Sequence, residues 1–321
     1  MSGAATPSLV VVTPIYEDVE ASSRLFRELA AVFGRDAYIV AVDDGSVRQP
    51  VDSTSIAAAG LDGVVVKLRR NVGHQRAIAT GIDYVAEVLP EASRVVVMDS
   101  DGEDVPASIR ELLQRLEADD VDVVVAQRRS RVETLRFRAF YAVYKWLFRL
   151  LAGRRISFGN FMALTPATVR RLATMQELGI HVAATVLTSK LRVASCPLDR
   201  GPRYAGQSKM NFVGLALHGF RGLMVFAEDV LVRVGTVCAG VAALSVLGSA
   251  AAIVLKLLGY ATPGWFSIAL GILFLVFLQT GALTLMTLML TGVVRNSAIV
   301  PIDYRVLVDR VEHAAQPQSA G

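Results

Sequence analysis

The sequence predicts an α/β domain on a mostly parallel, Rossmann-like sheet, followed by interfacial helices and a C-terminal hairpin of two membrane-spanning helices. Three observations carry this. Residues 8 to about 126 alternate short apolar runs with helical patterns, as strands covered by helices on both faces do. Three polar motifs, Thr13-Pro14-Ile15-Tyr16-Glu17, Asp43-Asp44-Gly45-Ser46 and Asp99-Ser100-Asp101, each fall where such a run ends. Val234–Leu255 and Trp265–Val294 carry no charged residue, and each exceeds the roughly 20 residues that cross a bilayer core.

The elements follow in order. Leu9–Thr13 is a buried strand, and Val19–Val32 a helix. Tyr38–Val42 and Val64–Leu68 are the second and third strands, with a helix over Gln75–Val88. Val95–Met98 is the fourth strand. A helix opens at Pro106, a residue suited to a first helical turn. Val121–Ala126 is the fifth strand. From Thr134 to Leu151, Phe137, Phe140, Tyr141, Tyr144, Trp146, Leu147 and Phe148 interleave with Arg and Lys. This pattern suits either a basic helix at a membrane interface or a helix packed on the sheet with snorkelling bases. Residues 156–200 return to the core and end in a strand near Leu191–Ala194. Asp199–Met210 is a basic, glycine-containing loop. The domain boundaries are therefore 1–210 for the catalytic domain, 211–233 for an interfacial helix, 234–294 for the two spans and 295–321 for a cytoplasmic tail.

Composition narrows the partners. The hydrophobic fraction is 53% and the excess lies in the two spans. Net charge is only +4, but Arg128, Arg129, Arg131, Arg136 and Arg138 cluster. Beside two spans, membrane lipid headgroups or a pyrophosphate are better partners for these bases than nucleic acid. The two cysteines, Cys196 and Cys238, form neither a metal-ligand spacing nor a disulfide framework, which fits a reducing cytoplasm. Arg221 and Arg233 precede the first span, and Arg295, Arg305 and Arg310 follow the second. The positive-inside rule then puts both termini and the catalytic domain on the cytoplasmic side of a multi-pass protein of the inner (plasma) membrane. Gly235, Gly240 and Gly248 offer small-residue surfaces for a homo-oligomer.

Asp99 and Asp101, two residues apart at a strand end, are hard oxygen donors able to hold a divalent metal against a diphosphate. With Asp43-Asp44 at another strand end, the pair points to a nucleotide-linked donor used at a membrane.

Five motifs stand in order: Thr13-Pro14-Ile15-Tyr16-Glu17, Val42-Asp43-Asp44-Gly45-Ser46, Arg70-Asn71-Val72-Gly73-His74, Asp99-Ser100-Asp101-Gly102-Glu103-Asp104-Val105-Pro106 and Gly206-Gln207-Ser208-Lys209-Met210. Together with the hairpin, over about residues 8–295, they resemble family 2 glycosyltransferases of the GT-A fold. The nearest resemblance is to polyprenyl-phosphate glycosyltransferases such as dolichol-phosphate mannose synthase and the GtrB/ArnC-type enzymes. The resemblance implies inverting transfer of one sugar from a UDP- or GDP-linked donor to an undecaprenyl or decaprenyl phosphate, in cell-envelope glycan biosynthesis. It assigns Pro14, Tyr16, Glu17 and Asp43 to the nucleotide, and Asp99 and Asp101 to Mg2+ or Mn2+, with Glu103 as a further ligand. Two phosphates need positive charge to be brought together, and Arg128 and Arg131 just past the fifth strand, with Arg203, Ser208 and Lys209 in the later loop, are the candidates for it. Related enzymes often carry an acidic residue within the segment matching Ile156–Phe161. Here Ser157 and Asn160 hold the polar positions, and Met162 stands where Arg is common. A phosphate nucleophile, with a second pKa of about 6, needs no base. No Gln-x-x-Arg-Trp motif of processive synthases is present, which implies single-sugar transfer.

Two alternatives differ in class. One is a non-catalytic membrane scaffold with a degenerate transferase domain, which the intact Asp43, Asp99, Asp101 and Lys209 disfavour. The other is transfer to a different lipid or a glycan. A hydroxyl acceptor would need a base, and Asp104 and His181 are the best local substitutes for one.

Overall fold

The computed structural model describes residues 7–128, 146, 148–154, 158–204, 212–260, 262, 264–297 and 303–314. The chain forms two compact units. One comprises residues 1–135, 156–225 and 300–321, and the other residues 136–155 and 226–299.

The first unit is built on an eight-stranded sheet: β1 (Leu9–Ile15), β2 (Ala37–Asp43), β3 (Asp62–Leu68), β4 (Arg94–Val97), β5 (Val123–Arg128), β6 (Met162–Leu164), β7 (Val193–Leu198) and β8 (Val308–His313). Its order is β7-β5-β6-β4-β1-β2-β3-β8. β4, β1, β2 and β3 run parallel, as do β5 and β7. β6 is antiparallel to both β4 and β5, and β8 is antiparallel to β3.

The apolar runs form strands because both of their faces are covered. Val10, Val12, Val40, Val42, Val64 and Val66 pack with Ile78 and Ile82 of α3 (His74–Val88) on one face. Val11, Ile39, Ala41 and Val65 pack with Leu25, Phe26 and Leu29 of α1 (Val19–Phe33) on the other. Side chains alternate across a strand, so two buried faces require a continuous apolar run. The helices need only one apolar stripe. Asp18 caps α1, its Oδ1 accepting from the Ala21 amide at 3.3 Å. A 3-10 turn at Pro106–Ser108 leads into α4 (Ile109–Ala118), as the proline predicted.

Several elements differ from the sequence expectation. α2 (Ser53–Ala58) is too short to display a helical period, although Asp52 caps it through the Thr54 amide at 3.1 Å. β6 has three residues and reverses the sheet direction. α5 (Pro166–Ala173) and α6 (Val182–Thr188) fill out the expected return to the core. The basic aromatic helix expected over 134–151 lies mostly outside the described residues. The helix expected over 211–233 is divided at Phe226: α7 (Phe212–Val225) ends there, and α8 (Ala227–Leu257) begins with Glu228 and Asp229 in its first turn, where acids favour a helix N-terminus. The expected tail after the second span contains β8, which joins the sheet edge. Its sequence Val-Asp-Arg-Val-Glu-His is half-exposed, as an edge strand allows, and too polar to read as one.

In the second unit, α8 packs against α9 (Trp265–Ser297). A Cβ at Gly235 would lie 2.6 Å from Thr287 Oγ1, and one at Gly248 would lie 3.3 Å from a Leu273 methyl. Two of the three glycines expected to support self-association thus allow contact within the hairpin. α8 and α9 are long and apolar enough to cross a membrane, and the most apolar stretch of α9 is 0% buried. A core helix of a soluble domain would be covered. Leu244, Leu275 and Met289 instead face outward, an apolar surface far larger than soluble monomers show.

Phe26 has no exposed surface. Phe26→Ala is expected to lower unfolding stability by about 3–5 kcal/mol, the cost of an aromatic-sized cavity. Val88→Ala, at the exposed end of α3, should change it by less than about 0.5 kcal/mol. Chemical denaturation of the solubilised protein compares the two.

Candidate active site

The register of the parallel strands sets the site. β1 pairs in step with β2 and β4, and Ile15 stands opposite Asp43. Residues just beyond β1, β2 and β4 therefore emerge on one rim, the carboxyl edge where open α/β sheets bind ligands. Pro14, Tyr16, Glu17, Asp43, Asp99 and Asp101 all belong to this rim.

Carboxylates shape its loops. Glu17 adopts φ +48°, and its carboxylate accepts from the amides of Val47 (2.8 Å), Arg48 (3.0 Å) and Gln49 (2.7 Å). Those backbone bonds hold its pKa below the usual carboxylate value. Its own amide donates to Ser46 Oγ at 2.8 Å. Asp43, 1% exposed, accepts from the Ser46 amide at 3.0 Å, and Lys67 Nζ lies 3.9 Å from its other oxygen. Asp44 accepts from the Val72 amide at 2.7 Å and the Gly73 amide at 3.0 Å. Burial raises the pKa of Asp44 and these bonds oppose the rise. Between them, Gly45 has φ +67°, and a Cβ there would lie 2.4 Å from the Arg70 carbonyl carbon. Asp43-Asp44-Gly45-Ser46 and Arg70-Asn71-Val72-Gly73 are thus one folded unit.

The second loop follows β4. The Asp99 amide donates to Asp104 Oδ2 at 2.9 Å, and the Glu103 amide to Asp101 Oδ1 at 3.0 Å. Gly102 has φ +88°, and a Cβ there would meet the Tyr204 ring at 2.6 Å. Residues 200–204 lie along this loop: the Tyr204 amide donates to the Asp101 carbonyl and the Gly201 amide to the Glu103 carbonyl. Arg203 bridges Asp101 Oδ2 at 2.8 Å and Glu103 Oε1 at 3.0 Å, and Arg200 also pairs with Glu103. Burial, then the charge of Asp99, raises the pKa of Asp101, while Arg203 and His74 pull it down.

His74, at the start of α3, places Nε2 3.2 Å from Asp99 Oδ1. Burial opposes its protonation, but Asp99, Asp101 and Asp44 outweigh burial and raise its pKa. Asn160 Nδ2 lies 3.0 Å from the same ring nitrogen. Gln75 donates to Asn160 Oδ1 at 3.2 Å and accepts from the Val182 amide at 2.7 Å, tying this corner to α6. There His181 is buried, caps α6 through the Ala184 amide at 3.2 Å, and stands 4.4 Å from the His218 ring of α7. Burial, with His218 and Arg221 nearby, pushes the pKa of His181 down to about 3.

Of the residues singled out from sequence, Arg203 joins the carboxylate loop rather than standing apart from it. Arg128 ends β5 opposite Leu198. Arg131, Ser157, Ser208 and Lys209 lie outside the described residues. His74 and Gln75 carried no reading of their own, although His74 ends one of the five motifs. Asn160 was seen only as a replacement for an acid. Their shared network depends on contacts some 85 positions apart, which spacing does not reveal.

Asp99 and Asp101 suit Mg2+ or Mn2+. Both are oxygen donors, and the repulsion between them is what a divalent cation relieves. Among the described residues no three metal-ligating side chains converge, but Mg2+ is often held by one or two carboxylates plus substrate phosphates. Glu103, expected as a further ligand, pairs here with Arg200 and Arg203, and Arg203 also pairs with Asp101.

Comparison with known proteins agrees with this geometry. The family description "Glycosyl transferase family 2" matches residues 10–171, half of the chain. An uncharacterized glycosyltransferase of Synechocystis sp. is 28% identical over 285 residues, covering 84% of this chain and 86% of that protein. A dodecaprenyl-phosphate galacturonate synthase of Rhizobium johnstonii is 28% identical over 155 residues, 46% of this chain and 42% of that protein. Among solved structures, glucosyl-3-phosphoglycerate synthase of Mycobacterium tuberculosis, in complex with Mn2+, UDP-glucose and phosphoglyceric acid, superposes with a TM-score of 0.50. It has 14% identity and covers 69% of this chain and 79% of that one, a likeness of GT-A fold.

Two outcomes test the site's construction. Gly45→Ala should cost about 1–3 kcal/mol through its left-handed backbone, with the Arg70 clash added, and a denaturation midpoint reads it. The His181 imidazole binds its proton more weakly folded, near pH 3, than unfolded, near the ordinary histidine value of 6.5. The unfolded state therefore holds more protons between these values, and stability should fall as pH drops from about 6.5 toward 3. Asn also caps helices but does not titrate. His181→Asn should flatten the stability profile between pH 6.5 and 4; an unchanged slope would assign the acid sensitivity elsewhere.

Proposed function

The chain belongs to glycosyl transferase family 2, and from that membership we propose that it transfers one sugar from a nucleotide sugar to a polyprenyl phosphate at the cytoplasmic membrane face. The observation that carries this reading is the convergence of Asp43, Asp99 and Asp101 on the carboxyl rim of the sheet, in a chain that also has two long apolar helices. The dodecaprenyl-phosphate galacturonate synthase among its relatives supports the acceptor class.

In this reading a phosphate oxygen of the lipid attacks the anomeric carbon. The bond from that carbon to the nucleoside diphosphate breaks, and the configuration inverts. Asp99 and Asp101 would hold Mg2+ or Mn2+, which supplies charge neutralisation for the departing diphosphate. Asp43 binds the nucleoside, with Pro14 and Tyr16 beside it. Glu17 acts through the loop whose amides it gathers. Arg203 is a cation already drawn to the site by Asp101 and Glu103, and it binds phosphate together with Arg128, Arg131, Ser208 and Lys209. No side chain serves as base. The acceptor is already anionic near neutrality, Asp104 is engaged by the Asp99 amide, and the low pKa of His181 makes it a poor proton acceptor at neutral pH.

The return of β8 supports a hairpin with both ends on one side. β1–β7 precede α8, and β8 follows α9 into the same sheet. A chain that leaves and rejoins one domain crosses a membrane an even number of times.

Membranes containing the protein, given labelled nucleotide sugars and undecaprenyl or decaprenyl phosphate, should yield lipid-extractable label. EDTA should abolish it, and Asp101→Asn should reduce it about a hundredfold or more. Label that never enters the lipid fraction would sink the acceptor assignment; full activity in EDTA would remove the metal. A cysteine introduced near Ser319 should resist periplasmic labelling.

A further inference from the structure

Residues 200–204 lie as a strap along the loop after β4. The Tyr204 amide donates to the Asp101 carbonyl at 2.9 Å, and the Gly201 amide to the Glu103 carbonyl at 3.0 Å. A Cβ on Gly201 would lie 2.5 Å from the Gly102 carbonyl oxygen, and one on Gly102 would lie 2.6 Å from the Tyr204 ring. Two glycines thus permit the close approach. From the strap Arg203 reaches Asp101 Oδ2 through Nη2 and Glu103 Oε1 through Nε. The next side chain, Tyr204, turns to α1. Its hydroxyl donates to Glu28 Oε2 at 2.5 Å, within the range of a charge-assisted bond. Glu28 Oε1 accepts from Arg24 Nε at 3.0 Å, and the Arg24 guanidinium lies 4.4 Å from the centre of the Tyr204 ring, a cation–π distance. Arg24, Glu28 and Tyr204 therefore close a ring of three contacts. An exposed Arg–Glu pair one turn apart adds little by itself; the tyrosine is what ties this one to the site.

We propose that Tyr204 and Glu28 are positioning residues for the acceptor phosphate: α1 anchors the strap, and the strap presents Arg203 to the lipid phosphate. This rests on the reading above that Arg203 binds phosphate, which assigns no role to Tyr204 or to any residue of α1. An arginine loses rotamer freedom when it binds a ligand. A strap already fixed at its backbone, with two carboxylates on Arg203, makes that loss before the phosphate arrives, which is preorganisation. A guanidinium carries five N–H groups, so Arg203 can take a phosphate oxygen while a carboxylate still holds it. The anchor lies on a rigid element. Arg24 and Glu28 stand on the outer side of α1, next to Leu25 and Leu29, which have no exposed surface. It also lies where the phosphate-binding segment begins, since the chain runs from Tyr204 to Ser208 and Lys209 in five residues.

The test is binding of undecaprenyl phosphate and of undecaprenol to the full-length protein in detergent, alongside thermal melting. The ratio of the two affinities isolates the phosphate from the lipid tail. Wild type should favour the phosphate about a hundredfold, and Arg203→Ala should cut that ratio about thirtyfold. Tyr204→Phe, which keeps the ring over Gly102, and Glu28→Ala should each cut it about tenfold, the loss of one charge-assisted bond, with melting close to wild type. Should Tyr204→Phe melt well below wild type, Glu28→Ala, at a half-exposed position, reads the same effect. In the Arg203→Ala background Tyr204→Phe should change the ratio no further, because residues that act through one another are not additive. A ratio within twofold of wild type in a folded Tyr204→Phe or Glu28→Ala overturns the anchor and leaves the acceptor reading intact. A full tenfold loss that persists in the Arg203→Ala background overturns the route through Arg203. Wild type that binds both lipids equally, or Arg203→Ala with an unchanged ratio, overturns the acceptor reading, and this inference with it.

Discussion

The site depends on one arrangement: carboxylates at the ends of parallel strands, each gathering backbone amides from a loop elsewhere in the chain. Glu17 collects three amides from 47–49, Asp44 two from 72–73, and Asp104 the amide of Asp99. Loops of this kind have no strand or helix ladder to satisfy their N–H groups; the amides of 72–73 and of Asp99 are partly buried, where an unpaired amide is costly, while those of 47–49 are exposed. Acidic side chains at the strand ends meet that requirement and fix the loop shapes together. This changes how the motifs read. Part of the acidic content of the rim is therefore scaffold, and Asp43 and Asp101 share in it through the amides of Ser46 and Glu103.

The remaining charges explain how a pair of close carboxylates is kept in a folded protein. Asp101 feels both burial and Asp99, which favour its neutral form. His74 and Arg203 counter this from opposite sides, one at the start of α3 and the other in the loop after β7. Arg203 as a fixed cation, and His74 whenever it is protonated, offset like-charge repulsion. A bound divalent ion would take over that role, leaving Arg203 available to a phosphate oxygen. Arg203 links Glu103 to the pair, since it bridges Asp101 and Glu103 together.

Much of this was legible in sequence because it is local. Apolar runs of four or five residues followed by Thr or Asp located β1, β2 and β4 and put Pro14, Asp43 and Asp99 on one rim. The uncharged stretches after Arg233 exposed α8 and α9. Three kinds of feature escaped. α2 and β6 are too short for a period. The His74–Asn160–Gln75 network joins residues whose spacing carries no pattern. β8 is an edge strand with one half-covered face, so Asp309, Arg310 and Glu312 make it read as a solvated tail. Glu17 and Glu103 were expected to bind nucleotide and metal; the fold gives them partners at 47–49 and at 200 and 203 that spacing does not show.

β8 also constrains topology in a way that hydropathy alone does not. An apolar helix pair at a chain end could be a hairpin, or a span followed by an interfacial helix, and the charges flanking it bias the choice only weakly. Pairing of β8 with β3 removes that freedom, because residues 308–313 must lie on the same side as β1–β7. A single crossing between β7 and β8 would tear the strand from its sheet. If α8 and α9 enter a membrane, the edge pairing of Val64–Leu68 with Val308–His313 requires an even number of crossings, and the same strand carries Asp309 and Arg310 to a cavity beside Asp43. A polar strand that hydropathy would discard thus constrains where the outer ends of the two apolar helices can lie.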